Sequence, residues 1–233
     1  MPVILRPAAQ RGRFTDPGLT GVAAFSHGEA FDRHWLGFHA LRVLNRVELA
    51  PGARLPAARR ANMEVLTLVL EGHYRVSSQA GDSGPLKAGQ WHRLAAGAGV
   101  DVLEQNLDPD APLRLLQLWL QPAHSNAPPQ QAVAVPGAGD TRIAAPTDAL
   151  LHWDLAATLR RLSLAPGATF AVPATPAAAC WVDVIAGELA FRGPGAAGLA
   201  QLRGGDGLGV ADEAGFALVS SFGAELLLLE LPG

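Results

Sequence analysis

Arg60, Glu64, Glu104 and His92 are the side chains of this 233-residue chain that could together form a reactive or ligand-holding cluster. Strand side chains alternate between two faces. If the run from Ala58 to Glu64 is one unbroken strand with Arg60 pointing inward, then Ala58, Asn62 and Glu64 share its face. By the same alternation Val102 and Glu104 point in together from a neighbouring strand. His92, in Trp91-His92-Arg93-Leu94, can face the same space. An arginine among two carboxylates is a self-neutralising set. At about 4 Å and an effective dielectric of about 20, one such pair is worth roughly 4 kcal/mol before desolvation. Two arrangements stay open at this point. Either Arg60 pairs inward with Glu104, with Glu64 sharing the guanidinium, or Arg60 swings to solvent and Glu104 is an exposed strand residue.

A pocket of this kind could hold a small organic ligand, anionic or aromatic, around Arg60. It could also run acid–base chemistry, with Glu104 or Glu64 as general base and Arg60 stabilising an oxyanion. A carboxylate beside an arginine has its pKa lowered, however, which makes it a weak base near pH 7. Metal binding requires several neutral imidazole or carboxylate donors converging on one point, whereas arginine stays charged at any working pH. No metal site and no metal cofactor are therefore expected. His92 and Glu104 would make a poor two-ligand site, the other reading of His92 being a satisfied polar residue. His27, His34 and His39 are spaced too loosely for a helical metal motif. The sequence has no G-x-S-x-G elbow, phosphate loop or C-x-x-C pair. Nucleophilic hydrolysis, nucleotide chemistry and thioredoxin-like redox are left without support.

The elements that position these residues come from an internal repeat. Leu49-Ala50-Pro51-Gly52-Ala53 recurs 115 positions later as Leu164-Ala165-Pro166-Gly167-Ala168. At the same offset the strand ending in Gly72 recurs as Val182-Asp183-Val184-Ile185-Ala186-Gly187, and one residue further on Leu86-Lys87-Ala88-Gly89 matches Leu202-Arg203-Gly204-Gly205. Two copies of so long a unit predict two similar β domains rather than a solenoid. Strands are expected over 38–49, 66–70, 74–76, 91–94, 100–104 and 113–120, and the last over 225–231. Residues 1–35 read as irregular structure with short pairing segments, and Asp148–Leu155 could form one helical turn or two. Pro128, Pro129, Pro136 and Pro146 mark a linker. The expected division is an N-terminal barrel over 1–122, a Pro-rich linker over 123–147 and a C-terminal barrel over 148–233.

Composition bounds the partners. A formal net charge of −3 offers no basic footprint, so direct nucleic-acid binding is not expected. No apolar run approaches the roughly 18 residues that span a bilayer, and Val3-Ile4-Leu5 is too short for a signal-peptide core. Cys180 is the single cysteine, so no intrachain disulfide forms and a cytoplasmic protein is expected. Cys180 itself reads as inert core.

Taken together, Gly37-Phe38-His39-Ala40-Leu41-Arg42-Val43-Leu44-Asn45, the run from Met63 to Gly72 and the run from Gly89 to Gly99 resemble the pirin-like bicupins, a family that includes bacterial quercetinase-type members. The resemblance covers essentially the whole chain and implies an all-β fold of two tandem cupin (jelly-roll-like) β-barrels. It also implies iron or another divalent metal in the N-terminal barrel, held by an H-x-H and an H-x-E. Carried over, those positions are Ala58, Arg60, Val102 and Glu104, and a further family histidine falls on Val76; only Glu104 matches. In the second copy the repeat maps the four positions to Pro173, Thr175, Leu218 and Ser220, which makes that barrel structural. The expected function is a non-metal small-molecule-binding or regulatory protein that takes a small organic ligand or a protein partner, with the question of catalysis left open. The alternative is a residual quercetin 2,3-dioxygenase-like or other metal-independent pocket enzyme. A large apolar cavity would favour ligand binding, and a cavity filled by side chains an interaction module.

Overall fold

The computed structural model describes residues 3–137, 139–173, 178–193, 201–211 and 215–232. Strands carry the chain; the described residues contain no α-helix, and their one helical turn is the 3-10 segment Ala8–Gln10. The turn or two expected over Asp148–Leu155 is instead irregular around a two-residue strand, Leu151–His152. No helix among the described residues is long and apolar enough to cross a membrane.

Two compact units form, and they divide the chain differently from the expected boundaries. One comprises Gly12–Pro136 with Leu150–Leu155; the other comprises Met1–Arg11, Gly137–Ala149 and Ala156–Gly233. The N-terminal residues join the second unit because Val3–Arg6 pairs antiparallel with Gly207–Ala211. The segment expected as a linker holds two strands. Gln130–Ala134 pairs with Trp91–Ala95, and Thr141–Ala145 pairs with Thr158–Leu164. Gln130–Ala134 is an edge strand of Gln, Ala and a single Val. Such a composition has weak strand preference, and the flanking prolines punctuate it as a loop.

In the first unit, one sheet runs in the order Gln130–Ala134, Trp91–Ala95, Glu64–Glu71, Leu113–Leu120, Leu41–Leu49, Leu19–Ala23 and Gly12–Asp16. The other contains Ala58–Arg60, Val100–Asn106, His73–Ser78 and Gly81–Asp82, with Leu86–Lys87 also on His73–Ser78. The inward positions of these strands make one core, including Val47, Val65, Val69, Val76, Val102 and Leu115. Each fully buried side chain of this size contributes roughly 1.5–3 kcal/mol.

In the second unit the strands Val3–Arg6, Gly207–Ala211, Ala178–Arg192, Ala224–Pro232, Thr158–Leu164 and Thr141–Ala145 lie side by side in that order. Thr169–Val172 pairs with Phe216–Val219, which also pairs with the far end of Ala178–Arg192. That long strand therefore takes part in both pairings, with a register shift between Val184 and Ala186. Its core includes Leu162, Val182, Val184, Phe191, Leu218 and Leu226.

The internal repeat is structural as well as textual. Gly72 and Gly187 both have positive φ, 88° and 81°. A Cβ on Gly187 would lie 2.1 Å from the Gly223 oxygen, and one on Gly72 3.1 Å from the Pro112 oxygen. Glycine is required at both on conformational and steric grounds. The Pro-Gly turns match too: Gly52 N–H donates to Asp108 O and Gly167 N–H to Ser220 O, each at 2.7 Å.

Candidate functional site

The chemistry-bearing side chains of the first unit meet inside its barrel at Glu104. Val100–Asn106 pairs antiparallel with Ala58–Arg60, putting Val100 opposite Arg60 and Val102 opposite Ala58. Inward side chains therefore alternate as the strand period requires, and Glu104 joins them from the same strand. One carboxylate oxygen of Glu104, Oε1, accepts from the Tyr74 hydroxyl at 2.6 Å and from Gln117 Nε2 at 2.7 Å. The other, Oε2, faces Arg60 Nη2 at 3.8 Å, with side-chain exposures of 20% for Arg60 and 11% for Glu104. The inward arrangement of Arg60 is the one observed. Its guanidinium also lies over the Trp119 ring, 4.5 Å from the centroid, a contact worth about 0.5–1 kcal/mol or more as water is excluded.

Sequence reasoning missed Tyr74, Gln117, Thr67 and Trp119. The signal that finds them is register, which one strand alone does not carry. Asn45 pairs with Gln117, Gln117 with Thr67 and Thr67 with His92. Four neighbouring strands thus place one row of polar side chains at the same level. What remains between Arg60, Val65, Thr67, Tyr74, Glu104 and Trp119 is a cavity of about 10 Å³. That is room for one water at most.

Burial sets the protonation states. Burial first, and the Glu104 charge second, push the Tyr74 phenol well above its ordinary value, so Tyr74 stays a donor. His92 is 2% exposed, and burial lowers its pKa to about 4. The ring is neutral near pH 7, with Nε2 3.2 Å from Gln131 Oε1, which is the satisfied-residue reading. Burial, followed by the charge of Arg60, also lowers the pKa of His27. Burial lifts the Cys180 thiol to about 12, which keeps it unreactive.

Two expected pocket residues are elsewhere, and Ala58 only frames the site. The strand is not continuous from 58 to 64: it stops at Arg60, restarts at Glu64, and Asn62 between them has φ +50°. That break resets the alternation. Asn62 turns to the surface, where its Oδ1 accepts from Asn126 N–H at 2.7 Å. Glu64 points to the opposite face from Val65 and does not share the Arg60 guanidinium. It forms a buried bidentate pair with Arg93, at 2.9 and 2.8 Å. Burial nonetheless raises the Glu64 pKa, the Arg93 bonds and charge opposing the rise. In the second unit Leu218 is core, Ser220 Oγ accepts from Gly223 N–H at 2.9 Å, and Pro173 is exposed. Thr175 lies outside the described residues.

Two β units built on one repeated strand-and-turn frame define the class: a bicupin. The Pirin family profile matches residues 6–120, and that of the quercetinase C-terminal cupin domain matches residues 145–231. The chain is 31% identical over 239 residues to the pirin-like protein YhaK of Escherichia coli K12, covering 99% of each. It is 26% identical over 242 residues to the quercetin 2,3-dioxygenase of the same strain, again covering 99% of each. The crystal structure of the Escherichia coli pirin YhhW in complex with nickel(II) superposes with a TM-score of 0.92 at 25% identity, covering 99% of both chains. This chain belongs to the pirin family.

A divalent metal of the kind seen in the nickel complex does not fit the residues present here. No three His, Cys, Asp or Glu side chains cluster among the described residues. Glu104 already accepts two hydrogen bonds on Oε1, and its Oε2 faces a permanent cation. An ion bound to Glu104 would meet that guanidinium with about twice the repulsion of a single charge. At two further positions where the resemblance implies ligands, Ala58 and Val102 carry a methyl and an isopropyl group, which offer no donor atom.

Proposed function

We propose that this chain is a pirin-family bicupin that works without a resident metal, as a regulatory, partner-binding protein rather than a flavonol oxygenase. One observation carries the reading. The carboxylate at the retained ligand position is held by Tyr74 and Gln117 and faced by Arg60, leaving a cavity of about 10 Å³. Small-molecule pockets run to about 300–1,000 Å³, so the filled barrel supports the interaction reading over a ligand held inside it. The side chains that would run chemistry are used to close the barrel, and recognition passes to the outer surface. The net charge of −3 favours protein over nucleic acid as the partner.

Oxygen uptake with quercetin tests the reading, using protein expressed with iron and nickel supplements. No uptake above background is the expected result. Uptake that is abolished by Glu104→Ala would return the chain to the oxygenases, with a barrel that opens around substrate.

A further inference from the structure

Residues 26–35 form a loop fastened to itself. Ser26 N–H donates to Trp35 O at 2.6 Å. The Ser26 hydroxyl donates to Asp32 O at 2.7 Å and accepts from Asp32 N–H at 2.8 Å. His27 and Ala30 exchange backbone hydrogen bonds at 3.1 and 2.9 Å. A compact loop closed at its ends in this way is an Ω-loop. Two of its side chains reach the first barrel. Ala30 sits on Gly12 so closely that a Cβ on Gly12 would lie 2.7 Å from that of Ala30. The half-buried His27 packs on two rings, 4.7 Å from the Phe14 centroid and edge-on to Trp119 at 6.0 Å.

Trp119 is shared between two groups. Its ring meets His27, and it also carries the Arg60 guanidinium 4.5 Å from its centroid. A positive charge on His27 would therefore stand near a permanent one. Asp16 is on the same side of Gly12–Asp16 as Phe14 by alternation, and its carboxylate favours the charge. Burial first, and Arg60 second, outweigh Asp16 and hold the His27 pKa below its ordinary 6.5. Leu113–Leu120 brings only neutral groups to this side, Gln117 and Trp119. On the loop itself Glu29 and Arg33 are exposed, and Asp32 Oδ1 accepts from His34 N–H at 3.0 Å. We propose that His27 is a proton-operated latch: neutral, it holds the 26–35 loop against the barrel wall, and protonated, it releases it. A released loop returns His27 to water, so the open state binds the proton first. Closure is fully supported above about pH 6.5 and weakens as the pH falls below that value. Release bares the edge of Trp119 beside Arg60, two residues that border the barrel cavity. The latch does not depend on how that cavity is used, since His27 and Asp16 are not among the residues around it.

Hydrogen exchange of the native chain, followed by mass spectrometry at pH 7.5 and 5.5 and corrected for the intrinsic pH dependence of amide exchange, is the test. Amides of 26–35 should exchange about threefold or more faster at pH 5.5, because the proton binds the open loop more tightly than the closed one. Those of Leu113–Leu120 should not change. His27→Phe keeps a ring on Phe14 and Trp119 but takes no proton, so its loop should stay equally protected at both pH values. Arg60→Met should shrink the rise and Asp16→Asn enlarge it, opposite changes that a general loosening of the fold would not produce. A pH-independent loop in the native chain or the same rise in His27→Phe would overturn the proposal. So would a parallel rise across Leu113–Leu120, or changes of one direction in Arg60→Met and Asp16→Asn.

Discussion

Arg60 lies 3.8 Å from Glu104 and over the ring of Trp119 at 4.5 Å, so the cation that faces the retained carboxylate is held in place from a second side. The two members of the pair are not equally supported. Glu104 also satisfies Tyr74 and Gln117, whereas among the described residues Arg60 has one other hydrogen bond, at 3.5 Å to the Arg59 oxygen.

Unfolding in urea should therefore read the two sides of the pair differently. Glu104→Ala is predicted to destabilise by about 3 kcal/mol, because it strands two buried donors and a partly buried cation. Arg60→Ala should lose only about 1–2 kcal/mol, since Glu104 keeps its two hydrogen bonds and the stacking on Trp119 is what goes. The double variant should show a coupling of about 1 kcal/mol. Equal single effects with no coupling would mean that the two side chains do not interact.

His92 predicts a pH dependence. Its folded pKa of about 4 lies below the ordinary 6.5, so in acid the unfolded chain binds the proton first. The stability it contributes is fully present above about pH 6.5 and is lost as pH falls towards 4. A shift of this size is worth about 3 kcal/mol. Comparing His92→Gln with the native chain from pH 7 to pH 4 isolates it: the native chain should lose more stability over that range. Parallel curves would contradict the burial argument.

Glu64 and Arg93 make a second test, outside the barrel interior. Removing the cation in Arg93→Met leaves an uncompensated buried carboxylate and should cost about 3–5 kcal/mol at pH 7. Because burial already raises the Glu64 pKa, the loss should shrink as the pH is lowered and the carboxyl takes up its proton. A penalty independent of pH would show that Glu64 moves out to water.

Much of this architecture is legible in the sequence. The Pro-Gly turns at Gly52 and Gly167 and the strand ends at Gly72 and Gly187 demand backbone that few other residues adopt, so they stand out at a fixed offset. Alternation also places Ala58 with Arg60, and Val102 with Glu104, on the inner face. It fails at Asn62 because that turn depends on tertiary partners, Gly97 O accepting from Asn62 N–H and Asn126 bonding its side chain. Glu64, the position assigned beyond the turn, then falls on the wrong face. Tyr74 and Gln117 are silent for a related reason: each is an ordinary strand residue until pairing brings it to Glu104.

The same geometry predicts that the frame binds a metal once donor side chains are supplied. Ala58 and Val102 are register partners, and Arg60 shares their inner face with Glu104. Histidines introduced by Ala58→His, Arg60→His and Val102→His should converge with Glu104 once the repelling guanidinium is gone. Calorimetric titration with nickel(II) should show about one site in the triple variant. A folded triple variant that binds none would mean that Tyr74 and Gln117 hold Glu104 too firmly to ligate.

A native site closed to metal by its own side chains should yield a metal-free protein. Metal content of the native protein, expressed with added iron and nickel and measured by plasma emission after desalting, tests it most directly. No stoichiometric transition metal is predicted, with Glu104→Ala giving the same background. About one equivalent per chain, lost in Glu104→Ala, would contradict it.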